Sequence, residues 1–283
     1  MNKVKIIVDS TVDLSPELYK EFDLDVVPLN VNFGEENFKD GLTINPELLY
    51  KKVKETGNLP HTAAASPDDY VSIFKKYINK GFDIVYLGIG STLSTALQSA
   101  NIARQEFDDG RIQLVDSLNL STGSGLLALR ASRLAKAGKS AEEIKKDLDS
   151  LVPNVSTRFA VDTLEYLHKG GRCSGASKLF GHIFHIHPII SVIDGKLIVT
   201  KKPRGLMKVA INEMVNDLKN DLPNVYMDDI FVTTSGCADE VKEYFLSEVK
   251  KLVNPDCVHY TEAGCVISTH CGYGTMGLLY IKK

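Results

Sequence analysis

Apolar and polar positions change period along the chain, and the first half alternates regularly between two patterns. Lys3 to Val8, Ile84 to Leu87 and Arg111 to Val115 are short apolar runs of the kind that form buried parallel strands. Asp25 to Phe33 is also strand-like, with Val26, Val27, Leu29, Val31 and Phe33 apolar. Helices with explicit start signals lie between these runs. Ser15-Pro16, Asn45-Pro46 and Ser66-Pro67 each set a capping residue before a proline at the first helical position. Ser66 with Asp69, and Ser140 with Glu143, have the spacing of capping boxes. A helical pattern follows Leu87, with Leu93, Leu97, Ala100 and Ala103 near one face. Ser121 to Ala137 predicts a long helix, and Ser140 opens another to about Leu151. Strands alternating with helices in this way predict a mainly parallel α/β sheet with helices on its faces.

The pattern changes after Pro153-Asn154, which reads as a linker. Arg158 to Val161 is a strand, Thr163 to Leu167 a short helix, and Ser174 to Phe184 a further helix. Pro188 to Ile193 and Lys196 to Lys201 flank Asp194-Gly195, the strongest short hairpin signal. Helices are predicted from Arg204 to Leu218 and from Ala238 to Leu252. Strands are predicted at Ile230 to Thr234, Cys257 to Tyr260 and Met276 to Ile281. This half is α+β. The division is therefore an α/β domain over residues 1–153 and an α+β domain over 154–283, in keeping with roughly two domains for a chain of 283 residues.

Strand ends carry the candidate chemistry. Val8-Asp9-Ser10, Gly90-Ser91 and Val115-Asp116-Ser117 all fall at the carboxyl edge of one parallel sheet, where ligands bind. At Gly88-Ile89-Gly90-Ser91-Thr92-Leu93-Ser94 two glycines allow close backbone approach, and the start of a helix offers N–H groups to an anion. A helix cap is the simpler use of Ser91 or Thr92. Further donors are Thr62 in the loop Pro60 to Ala64, and His270 in the glycine-flanked loop Ser268 to Gly274. Arg172 follows Gly170-Gly171, and Arg204 precedes Gly205. Together these groups point to a small acidic ligand held by neutral donors with arginines nearby. Neither a G-x-G-x-x-G fingerprint nor a P-loop lysine is present, so no nucleotide cofactor is expected.

Composition narrows the partners. A formal net charge of −3 and a pI near 6.2 argue against nucleic acid. No apolar stretch reaches the length of a membrane span, and Met1-Asn2-Lys3 leads into a strand rather than a signal-peptide core. Five cysteines, an odd number without a C-x-x-C, fit reduced thiols and predict a cytoplasmic protein.

In order along the chain, Asp9-Ser10-Thr11-x-Asp13-Leu14, Ser91-x-Leu93-Ser94 with Gln98-Ser99-Ala100, and Asp116-Ser117 resemble the motifs of the DegV family. So do Leu167-x-Lys169-Gly170-Gly171-Arg172, Lys202-x-Arg204-Gly205 and Thr269-His270-x-Gly272-x-Gly274. The resemblance spans nearly the whole chain. It implies a two-domain protein with a long-chain fatty acid between the domains. FakB-type members present that acid to a separate ATP-dependent fatty acid kinase, which phosphorylates the carboxylate, and have no activity alone. By similarity Thr62, Ser91 or Ser94, and His270 hold the carboxylate, and Arg172 and Arg204 lie toward the kinase or the transferred phosphate. Departures from the family pattern are Ala63-Ala64-Ala65 after Thr62, Thr95 for a glycine, His187 for a lysine before Pro188, and Tyr273 for a proline. Physics accords with a lipid carrier: about fifteen methylenes at roughly 0.8 kcal/mol each give roughly 12 kcal/mol before ordering costs.

Other readings remain open at this point. A serine hydrolase would need Ser91 as nucleophile and His270 as base, but no G-x-S-x-G elbow is present. His182, His185 and His187 form H-x-x-H-x-H, and Cys265 and Cys271 flank His270; neither group has the fourth ligand of a zinc site, so no metal is expected. A non-catalytic lipid sensor or transport protein would share the pocket and differ only in its partner.

Overall fold

A computed structural model describes residues 2–173 and 186–283. The predicted helix at Ser174 to Phe184 lies outside them, as do His182 and His185.

Four strands form a wholly parallel sheet in the order β2-β1-β6-β7: β1 is Val4–Asp9, β2 Leu24–Val27, β6 Asp83–Leu87 and β7 Ile112–Val115. Helices α1 (Pro16–Glu21), α2 (Pro46–Thr56) and α3 (Pro67–Ile78) start where the Ser/Asn-Pro signals put them, and each cap side chain accepts a backbone N–H. The capping boxes of α3 and of α6 (Ala141–Leu151) are both closed. Tyr70 and Phe74 of α3 bury against Ile7, Ile84 and Tyr86 on one face of the sheet, with Ala100 of α4 (Ala96–Arg104).

The other face meets α5 (Thr122–Lys136), which is buried over most of its surface. Leu126, Leu127 and Leu129 join one core with Ile6 and Val8 of the parallel sheet and with Phe231, Leu279 and Ile281 of a second sheet. One helix thus serves both sheets, and that shared apolar burial holds the two halves together. The second sheet has six strands in the order β10-β9-β8-β13-β11-β12. They are β8 (Val155–Ala160), β9 (Ile189–Ile193), β10 (Lys196–Lys201), β11 (Val225–Ser235), β12 (Val258–Glu262) and β13 (Thr275–Lys282). All its pairings are antiparallel except β11 with β12. Asp194 and Gly195 turn the β9–β10 hairpin with φ of 48° and 75°, as a primed turn requires. Helices α8 (Met207–Asp221) and α9 (Asp239–Lys250) cover this sheet.

Several expectations need correction. Asp25 to Phe33 is not one strand: Pro28 removes a ladder donor between β2 and β3 (Asn30–Phe33). β3 instead pairs with β4 (Glu36–Lys39) and with β5 (His61–Ala63) in a small antiparallel sheet, so Thr62 sits on a strand rather than in a loop. The short helix after β8 runs over Glu165–Gly170 and is α7. His270 is not in a loop either. It closes the last turn of α10 (Cys265–Cys271), which Gly272 ends. None of the five cysteines is in a disulfide.

Candidate functional site

β5 and α10 bring Thr62 and His270 together across 208 positions of sequence. Thr62 Oγ1 lies 2.9 Å from His270 Nε2. Both line a cavity of about 500 Å³ that also takes in Ser91, Ser94 and Arg172. Its remaining wall is largely apolar, with Leu29, Ile89, Leu93, Leu120, Leu167 and Leu197 among the contributors. These leucines come from elements far apart in the chain, so nothing local in the sequence marks them as a wall. The volume lies within the usual range for a small-molecule site, about 300–1,000 Å³.

A second, more polar cavity of about 330 Å³ adjoins on the far side of the Thr62–His270 pair. His61, Lys169 and Thr269 line it, and it shares Thr62, Arg172 and His270 with the first. The pair therefore stands at the boundary shared by an oily chamber and a polar one. Arg172 lies at the same boundary, its Nη1 donating to the Gly170 carbonyl at 2.6 Å and its Nε to the Leu93 carbonyl at 3.4 Å. Arg204 lines neither cavity; it is exposed between β10 and α8, bridged to Ile186.

The turn after β6 works differently from the expectation. Five of its N–H groups donate within the protein: Ile89 to Asp9, Gly90 to the Asn119 carbonyl, Ser91 to Asp116, and Leu93 and Ser94 to the Gly90 carbonyl. Gly88 and Gly90 admit protein rather than ligand: a Cβ on Gly88 would stand 2.0 Å from Asp9 Oδ2, and one on Gly90 2.8 Å from the Asn119 nitrogen. The helix begins only at Ala96, so neither Ser91 nor Thr92 caps it. Ser91 also gives its hydroxyl proton to Asp116. Ser94 Oγ accepts the Ala96 N–H at 3.2 Å, which leaves its own proton to donate. Of the two serines, Ser94 is therefore the one whose hydroxyl can donate toward the cavity.

Burial and the neighbouring Arg172 guanidinium hold the His270 imidazole down to about 4, so it is neutral at pH 7. A neutral imidazole offers one donor and one acceptor. His270 Nδ1 is buried without a hydrogen-bond partner and faces Gly170, where a Cβ would come within 2.3 Å. Ser91 pairs with Asp116 and His270 with Thr62, so the two do not form a nucleophile–base dyad. His187 Nδ1 lies 3.5 Å from Asp162. Among the described residues no three His, Cys, Asp or Glu side chains gather as a metal site.

Comparison with known proteins gives the same answer from three directions. A family model described as "Uncharacterised protein, DegV family" matches residues 3–283. A DegV domain-containing protein of Caldanaerobacter subterraneus subsp. tengcongensis is 33% identical over 288 residues, covering all of both chains. The solved structure described as fatty acid binding of a DegV family protein from Thermus thermophilus superposes with a TM-score of 0.90 at 31% identity, again over all of both chains. A stearic acid-binding protein from Eubacterium ventriosum superposes with a TM-score of 0.86 at 26% identity, over 100% of this chain and 99% of that one.

Proposed function

This chain belongs to the DegV family, and on that premise we propose that it binds a long-chain fatty acid and presents the carboxylate to a separate ATP-dependent kinase. The observation that carries the reading is the Thr62–His270 pair at the junction of an apolar and a polar cavity. An amphipathic acid needs that succession of environments. Its tail gains from burial along the leucine-lined chamber, and its head must stop where donors and water begin. The fatty acid-binding descriptions of the Thermus and Eubacterium relatives support the same ligand class.

In this reading Thr62, Ser94 and His270 hold the carboxylate. Ser91 contributes less, because its proton is committed to Asp116. The head group is gripped by neutral donors, since His270 carries no charge at pH 7. That matters for chemistry: a lysine salt bridge would drain charge from the carboxylate, whereas hydroxyls and a neutral imidazole fix its position and leave it nucleophilic. A carboxylate oxygen attacks the γ-phosphorus of ATP, the bond to ADP breaks, and an acyl phosphate forms. Arg172 stands on the polar side, suited to the charge of the transferred group. Arg204, exposed and away from both cavities, serves contact with the kinase. The halves over residues 1–153 and 154–283 each supply part of the grip, Thr62 and Ser94 from the first and His270 from the second. No helix among the described residues is long and apolar enough to cross a membrane, and the reading takes the carrier to act in the cytoplasm.

The test is turnover with ATP and a bacterial fatty acid kinase. Ser94→Ala and His270→Ala are expected to cut acyl phosphate formation more than they weaken fatty acid binding. Unimpaired turnover in both variants sinks the head-group assignment. Fatty acid binding without turnover by any such kinase favours a lipid sensor or transport role.

A further inference from the structure

The opening stretch Asp9-Ser10-Thr11-x-Asp13-Leu14 lines neither cavity of the site. It nevertheless carries buried carboxylates, and Asp40, beyond the end of β4, adds another. Asp13 is 4% exposed and Asp40 3%. Both direct their oxygens at the first residues of α10. Gly264 N–H donates to Asp13 Oδ1 at 2.8 Å, Cys265 N–H to Asp40 Oδ1 at 2.8 Å, and Val266 N–H to Asp40 Oδ2 at 3.4 Å. The second oxygens are also occupied: Ser121 Oγ donates to Asp13 Oδ2, and Ser10 Oγ to Asp40 Oδ2 at 3.0 Å. Ser10 in turn accepts the Leu29 N–H at 3.1 Å.

These are the N–H groups that a helix start leaves without an intrahelical partner. A helix as short as α10 does not hold itself, and its place is set by what caps and packs it. Its far end carries His270, about 7.5 Å along the axis from Cys265 at 1.5 Å per residue. A displacement of the first turn therefore reaches the imidazole almost undiminished. We propose that Asp13 and Asp40 are positioning residues for His270, two carboxylates that clamp the first turn of α10 and so set where the imidazole stands against Thr62. The proposal rests on the reading of Thr62 and His270 as the head-group site. Desolvation raises both carboxyls above the usual range, and Asp40 raises Asp13 further, so neither is a favourable choice for mere packing.

The two acids differ in a way that tests the idea. Asp40 receives backbone N–H groups on both oxygens. The amide introduced by Asp40→Asn has only one acceptor oxygen, so in either orientation one α10 N–H meets an NH₂ group. Asp13 receives one backbone N–H and one hydroxyl, and the Ser121 hydroxyl can reverse to accept from an amide. Asp40→Asn, Asp13→Asn and, as a control remote from the site, Asp229→Asn are compared by three readouts. These are affinity for the fluorescent fatty acid cis-parinaric acid, the His270 ring resonances in NMR without ligand, and thermal midpoint. Asp40→Asn is expected to weaken binding about ten-fold, equivalent to roughly 1.4 kcal/mol, and to shift the His270 resonances. Asp13→Asn, whose amide oxygen still accepts the Gly264 N–H, is expected to stay within about two-fold and leave those resonances in place, whereas Asp13→Ala, which removes that acceptor, is expected to shift them; unmoved resonances in Asp13→Ala would remove Asp13 from the clamp. Asp229→Asn is expected to lower the midpoint alone. The proposal is overturned if Asp40→Asn leaves the His270 resonances where they were, or if Asp229→Asn moves them as far. Wild-type protein that takes up no fatty acid overturns the functional reading, while the resonances still decide the clamp.

Discussion

Replacing His270 by Gln removes an imidazole that the fold forces to stay neutral far below the ordinary histidine range. In the folded chain it is held down to about 4, against 6.5 for an ordinary histidine, by burial first and by the Arg172 guanidinium second. A folded-state value below the unfolded one has a definite sign. The stability is fully present above about pH 6.5 and is lost as the pH falls toward 4, because the unfolded chain takes up a proton that the folded chain refuses. An interval of about 2.5 pH units corresponds to roughly 3 kcal/mol. Urea unfolding at pH 7.5 and pH 4.5, followed by far-ultraviolet circular dichroism, reads this directly. Wild type should lose roughly 2–3 kcal/mol more than His270→Gln between the two conditions. The buried carboxyls of Asp9, Asp13 and Asp40, which are raised and act in the opposite sense, are common to both proteins and cancel in the difference. Equal losses in the two proteins, or an NMR titration midpoint for His270 near 6.5, would refute the reasoning.

Gly170→Ala would drive a Cβ to within 2.3 Å of His270 Nδ1; overpacking of about 1–3 kcal/mol should appear as weaker fatty acid binding with a displaced imidazole, measured by fluorescence titration and NMR. Asp229→Ala would leave Arg133 and His259 without the carboxylate they share. Its cost in chemical denaturation should be about 2–3 kcal/mol, below that of a fully buried pair because Arg133 is partly in water. Thr62→Val removes the partner of His270 Nε2 while keeping the β-branched shape that suits β5, so head-group binding should suffer more than the thermal midpoint.

What can be read from the sequence is what neighbouring residues decide. Ser66 with Asp69 and Ser140 with Glu143 close capping boxes within one turn, and Asp194-Gly195 turns its hairpin with its own dihedrals. The failures share a cause. α10 has no capping side chain of its own; its caps are Asp13 and Asp40, more than 200 positions away, so its start reads as loop. β5 exists because Val31 and its neighbours pair with it, not because His61-Thr62-Ala63 favours a strand. At the site the donor types are legible, since Thr62, Ser91, Ser94, Arg172 and His270 line one cavity. Their division of labour is not: only the folded arrangement commits the Ser91 proton to Asp116 and leaves that of Ser94 to donate.

Mass spectrometry of the small molecules released when the purified protein is denatured bears most directly on the tail-in-chamber reading. A single long-chain fatty acid per protein molecule, about C14 to C20 by the per-methylene gain, is the predicted result. Protein that releases none, and takes up none when offered oleic or stearic acid, would contradict it.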